Sequence, residues 1–171
     1  MDHDLYDRLL QQLYASDEEA AKATRALASG GYAESVPSLM AFIQVTESRM
    51  VRDAIAVALA DFQDERAAPV LAELLQDQCT VGGRGSLLYA LSGFDNAPFL
   101  EQLVDIVIDG NFEERHQAFQ NIESIESEID TGRWTACVQK LEAALPEAPG
   151  DRQELIATLL ALFTESSDLT S

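Results

Sequence analysis

Apolar positions recur along this chain at the spacing of amphipathic helices, and over its middle they form a written-out repeat. From Val36 to Ile125 a pattern of about thirty residues appears three times. Each copy opens on an apolar-Pro-x-Leu signature, Val36-Pro37-Ser38-Leu39, Ala68-Pro69-Val70-Leu71 and Ala97-Pro98-Phe99-Leu100, with the prolines 32 and 29 residues apart. Each then reaches an arginine, Arg52, Arg84 and Arg115 in turn, standing 15, 15 and 17 residues after its proline. Apolar residues follow three, seven and ten positions later: Ile55, Leu59 and Phe62, then Leu87, Leu91 and Phe94, then Ala118, Ile122 and Ile125. Those offsets trace one face of an α-helix, so each copy predicts two helices, the second burying that face. Such a pair cannot cover its own apolar stripe and needs its neighbours.

The flanks carry the same period more loosely. Leu5, Leu9, Leu10 and Leu13 predict a first helix, Ser16-Asp17-Glu18-Glu19 reads as a capping box opening an alanine-rich second one, and Gly30-Gly31 closes it. The small side chains of that helix offer little core volume, which points to an N-terminal capping pair over 1–31. Three core repeats occupy 35–125. The register falters at Glu126-Ser127-Glu128-Ile129-Asp130, where a loop and a short helical turn both fit, and resumes with Trp134, Val138, Leu141 and Leu145. It breaks again at Pro146 and Pro149-Gly150. Beyond them Arg152 precedes Leu155, Leu159 and Leu162 at the same offsets, with Asp151 as the expected cap. A C-terminal pair is therefore expected over 130–165, followed by a polar tail, 166–171, that frays. The architecture expected is all-α: a right-handed α-solenoid of about five antiparallel helix pairs, forming one domain over 1–171.

Val51-Arg52-Asp53-Ala54-Ile55-Ala56-Val57-Ala58-Leu59, ending at Asp64 and followed by Arg66-Ala67-Ala68-Pro69-Val70-Leu71, resembles a HEAT repeat of the short bacterial kind. Asn121 departs from that pattern where Ala58 and Ala90 supply its small residue, and Gly85 interrupts the second copy. The resemblance implies a structural role for Arg52, Arg84, Arg115 and Arg152, each bracing a neighbouring turn through an acidic partner. Asp64, Asp77, Asp95 and Asp109 are the candidates.

In a solenoid the second helices line a broad binding face. Positions one, five and eight after each arginine point away from the buried stripe, and they single out Asp53, Val57, Tyr89, His116, Gln120 and Glu123 as candidate partner-binding residues. Ala56, Leu88 and Phe119 stand at the stripe's border. Leu88 and Phe119 fit an exposed apolar band and a wider buried stripe equally well.

Composition narrows the partner. A chain of 171 residues buries roughly 70% of its unfolded surface and needs neither disulfide nor metal to fold. Eleven Lys plus Arg against thirty Asp plus Glu give a net charge of −19, which repels phosphate backbones and attracts basic proteins. Cys79 and Cys137 lie in different repeats, against a disulfide framework and in keeping with a reducing cytoplasm. The acidic Met1-Asp2-His3-Asp4 does not read as a secretory signal, and the longest apolar run, Ala54 to Ala60, is far short of the roughly twenty residues a bilayer requires.

No cofactor, metal or catalytic group is expected. His3 and His116 are the two histidines and lie far apart. Gly82-Gly83-Arg84-Gly85 lacks the Gly-Lys-Ser/Thr ending of a phosphate loop, and no serine sits in a Gly-x-Ser-x-Gly elbow. Asp105, Asp109, Glu113 and Glu114 crowd one turn without the spacing of a calcium loop. A non-enzymatic binding module follows. Small acidic HEAT-like bacterial proteins resemble immunity proteins, so the resemblance implies a cytoplasmic inhibitor covering a basic toxin. A HEAT-repeat scaffold or adaptor is the alternative. A bilin-lyase-like role is a third reading, and the base-excising relatives, which need a basic DNA channel, are opposed by the charge.

Overall fold

The computed structural model describes residues 3–168 and, among them, ten α-helices and no strand. They succeed one another as pairs: α1 His3–Gln12 with α2 Asp17–Ser29, α3 Val36–Ile43 with α4 Arg49–Phe62, and α5 Ala67–Gln76 with α6 Gly85–Leu91. Then come α7 Leu100–Asp109 with α8 Phe112–Glu123, and α9 Thr131–Ala144 with α10 Gly150–Asp168. This is the helix-pair arrangement of an α-solenoid.

Local chemistry sets most of the boundaries. Glu19 N–H donates to Ser16 Oγ at 3.3 Å while the Glu19 carboxylate accepts from the Ser16 N–H, so the capping box opens α2 as its residues require. Ser48 Oγ accepts from Val51 N–H at the start of α4. Asn111 and Glu114 form a second capping box that opens α8. Pro37 stands in the first turn of α3, where its missing N–H leaves no bond unmade. Pro98 falls instead in a 3-10 turn, Ala97–Phe99, that leads into α7. Gly31, at φ 68, makes the left-handed step after α2. Gln63, at φ 54, closes α4 without being glycine, and its side-chain amide donates to Ala60 O.

The chain divides into two compact units, Met1–Phe94 and Asp95–Ser171. In the first, α2, α4 and α6 pack side by side, whereas α1, α3 and α5 make no comparably close approach to one another. The alanines explain the difference. Ala20, Ala21 and Ala23 of α2 and Ala56 and Ala58 of α4 are all buried, the two helices pack closely, and small residues let helix backbones come together. Val36, Leu39, Ile55, Leu59, Leu71, Leu75, Leu87 and Leu91 complete that core. Leu88 is fully buried, so on α6 the stripe is the wider of the two that the residues allowed.

In the second unit α7 packs against α8, α9 and α10, and α9 packs against α10. Phe119 belongs to the interior here as well. Residues 124–130 form a loop, tied down where Ser127 Oγ donates to Asp95 Oδ1 at 2.7 Å. Two expectations are corrected. The buried stripe of α10 is Ile156, Leu159 and Phe163 rather than Leu155, Leu159 and Leu162, because Phe163 turns in to pack on Trp134 in a tilted arrangement, 4.2 Å between ring centroids. Asp151 lies inside α10, and its carboxylate pairs with Arg115 instead of capping the helix. Helix α10 reaches Asp168, three residues into the segment expected to fray, and 169–171 lie outside the described residues.

Candidate functional site

The outward face of α4 carries Met50, Asp53, Ala54, Val57 and Asp61 at helical spacing. With Arg25, Ala28 and Ser29 of α2, Ala58 of α4 and Ser86 of α6, they line an open groove of about 710 Å³. Small and apolar side chains make its floor, and Met50 and Val57 remain 49% and 38% exposed there. The charges around it are poorly matched. Arg49 Nε approaches Asp53 Oδ2 at only 3.6 Å, and Asp53 Oδ1 accepts no hydrogen bond. Arg25 and Asp61, although both line the groove, form no ion pair with any described residue.

Of the six residues expected to meet a partner, Asp53 and Val57 share this groove. Tyr89 is 57% exposed on α6, one turn beyond Ser86. His116, Gln120 and Glu123 stand on α8 in the second unit. There Gln120 and Glu123 are exposed, while His116 is half-buried, with Nδ1 2.8 Å from Phe112 O and its ring 4.2 Å from the Phe112 ring. Glu123 also borders an apolar hollow of about 200 Å³ with Ile122, Trp134 and Phe163. Sequence reasoning missed Arg25, Met50, Asp61 and Ser86. Met50 and Asp61 extend the Asp53–Val57 face by one turn in each direction and were readable from the helical period. Arg25 and Ser86 enter through packing alone.

The repeat arginines are deeply placed. Arg52 is 4% exposed, and Nη2 donates to Thr46 O at 3.3 Å and lies 3.7 Å from Cys79 Sγ. Arg115 is 6% exposed, and donates to Gly110 O at 3.0 Å and to Asp151 Oδ2 at 2.6 Å. Both guanidinium groups reach back to a carbonyl in the turn before their own helix and forward to a later helix pair. Arg84 and Arg152 are half-buried.

The acidic candidates are mostly used otherwise. Asp64 forks onto Arg66 at 2.6 and 2.9 Å. Asp95 accepts from Ala97 N–H and Ser127 Oγ. Asp77 accepts from Cys79 N–H, and its carboxyl is held below its ordinary range by that bond first and by the Arg52 charge last. Asp109 shares a hollow of about 210 Å³ with Arg152.

Cys137 is buried, which pushes its thiol up to about 11, and the exposed Cys79 thiol is raised by its bond with Asp77. Neither environment makes a reactive thiolate. In the acidic turn, Asp105 accepts from Lys140 at 2.8 Å and Glu114 is spent in its capping box. Among the described residues no group of three or more His, Cys, Asp or Glu side chains could hold a metal ion.

A family model for HEAT repeats matches residues 6–92, from α1 through α6. The chain belongs to the HEAT-repeat family. No curated protein matches it. The HEAT match takes in the first helix pair, which the sequence marked as a cap, and stops just short of Phe94, where the first unit ends. HEAT repeats generally mediate protein–protein binding, and in this chain the second helices α2, α4 and α6 line the groove. No helix among the described residues is long and apolar enough to cross a membrane.

Proposed function

We propose that this HEAT-repeat chain is a non-enzymatic, cytoplasmic binding protein that inhibits a basic protein partner, as an immunity protein covers its toxin. The observation that carries this reading is the groove on α2, α4 and α6, whose apolar floor and poorly matched charges lie on a chain of net charge −19. Such a charge draws a cationic partner in by long-range steering, and apolar contacts then hold it. Phosphate backbones are repelled by the same field. Tyr89, Gln120 and Glu123 offer further exposed contacts on the second helices of their own units, and His116 a half-buried one. Arg52, Arg84, Arg115 and Arg152 are assigned the separate task of holding turns in place.

Purification of the tagged chain from its native cells at low and at high salt tests this. The expected result is one stoichiometric partner rich in Lys and Arg, whose complex loosens as salt rises and whose toxicity the chain suppresses on co-expression. An acidic partner, or no stoichiometric partner at all, would overturn the reading. Family membership favours one alternative, a scaffold or adaptor within a larger assembly, which would yield several partners and relieve no toxicity.

A further inference from the structure

Building on the reading that the chain binds a protein, the geometry points to the occupant of the α2–α4–α6 groove: a single amphipathic helix with cations along one flank and an acidic residue on the other. The floor is made by Ala54, Ala58 and Val57. Side chains this small let a docked helix approach to the 8–10 Å of ordinary helix packing. Asp53 and Asp61 stand eight residues apart on α4, roughly 12 Å along its axis. Lys or Arg residues seven or eight apart on a parallel or antiparallel helix would meet both. Arg25, on the α2 wall and without an ion pair among the described residues, calls for a carboxylate on the opposite flank. It thereby selects against a helix that is cationic all round.

Other occupants fit less well. An extended strand gains its affinity from a free sheet edge, and helices alone line this groove. A second copy would bring −19 against −19.

The probe is a fluorescein-labelled helical peptide of roughly eighteen residues, with leucines at i, i+3, i+4 and i+7, lysines seven apart on one flank and one glutamate on the other. Fluorescence anisotropy with the full chain is compared with a scrambled peptide that loses the stripe and with a version carrying glutamate for each lysine. The designed peptide should bind and both controls should fail. Val57→Arg, at an exposed position that leaves the core intact, should weaken binding at least about tenfold. The double variant Asp53→Asn with Asp61→Asn should flatten the dependence on salt. Gln139→Arg, on the exposed side of α9, should change nothing.

Unaltered binding to a correctly folded Val57→Arg chain overturns the groove assignment, as does equal binding of the acidic peptide. If Gln120→Arg weakens the peptide and Val57→Arg does not, the groove is not the site, while the protein-binding reading stands. That reading falls separately, on the absence of a native partner.

Discussion

Asp64 shows how much of a residue's behaviour is set within two positions of it. Its carboxylate accepts from both the backbone and the guanidinium of Arg66, and these bonds lower its pKa from 3.8 to about 2. A folded-state pKa below the unfolded one means that the pair's stabilisation is present above pH 3.8 and is lost as pH falls through about 2. The melting temperature of the chain should therefore decline across that interval, and Asp64→Asn should remove the Asp64 share of the decline. A titration by NMR that leaves the Asp64 carboxyl at its ordinary pKa would refute this. The α2 capping box is equally local, which is why Ser16 and Glu19 could be read directly. The Asn111–Glu114 box carries the same type of signal at the same spacing and was equally legible. Asp151 was not, because the guanidinium it binds lies 36 residues away.

At the scale of the helix pair, Arg115 ties three pieces of chain together: α8, the Asp109-Gly110-Asn111 turn, and α10 through Asp151. Removing its guanidinium leaves the Gly110 carbonyl without that donor while exposed Asp151 regains water. The cost should be about 2–3 kcal/mol. Arg115→Met should accordingly lower the melting temperature by roughly 4–12 °C, measured by circular dichroism, and leave partner binding in place. Lost binding at an unchanged melting temperature would reassign Arg115 to the interface. The stripe of α10 belongs to this scale as well. Leu155, Leu159, Leu162 and Ile156, Leu159, Phe163 both satisfy a helical period, so periodicity could not choose between them. The Trp134 ring chose, by giving Phe163 an aromatic face to pack on.

Across the whole molecule, charge is unevenly spread. Sixteen of the thirty acidic residues and four of the eleven basic ones follow Phe94, so the second unit carries −12 and the first −7. Self-repulsion of that size opposes compactness and is screened by salt. Raising NaCl from low concentration to about 0.15 M at pH 7 should increase the melting temperature, and a flat or falling response would show that the negative charges are already locally compensated. Within the single domain expected over 1–171, two compact units divide between Phe94 and Asp95, where the second written copy of the repeat ends and just before the third opens at Ala97.

Helix pairs, their order and the capping box of α2 were determined by the sequence alone, because a 3.6-residue period, a capping box and a proline in a first turn act within a few positions of chain. Val57 and Tyr89 were visible as outward residues for the same reason. Tertiary structure alone decided that α2 packs closely on α4, that Arg25 and Ser86 complete a groove around Val57, and that Leu88 and Phe119 turn inward. These outcomes depend on how closely helices tens of residues apart can approach, which is a matter of side-chain volume summed over both surfaces and is not written at any single position.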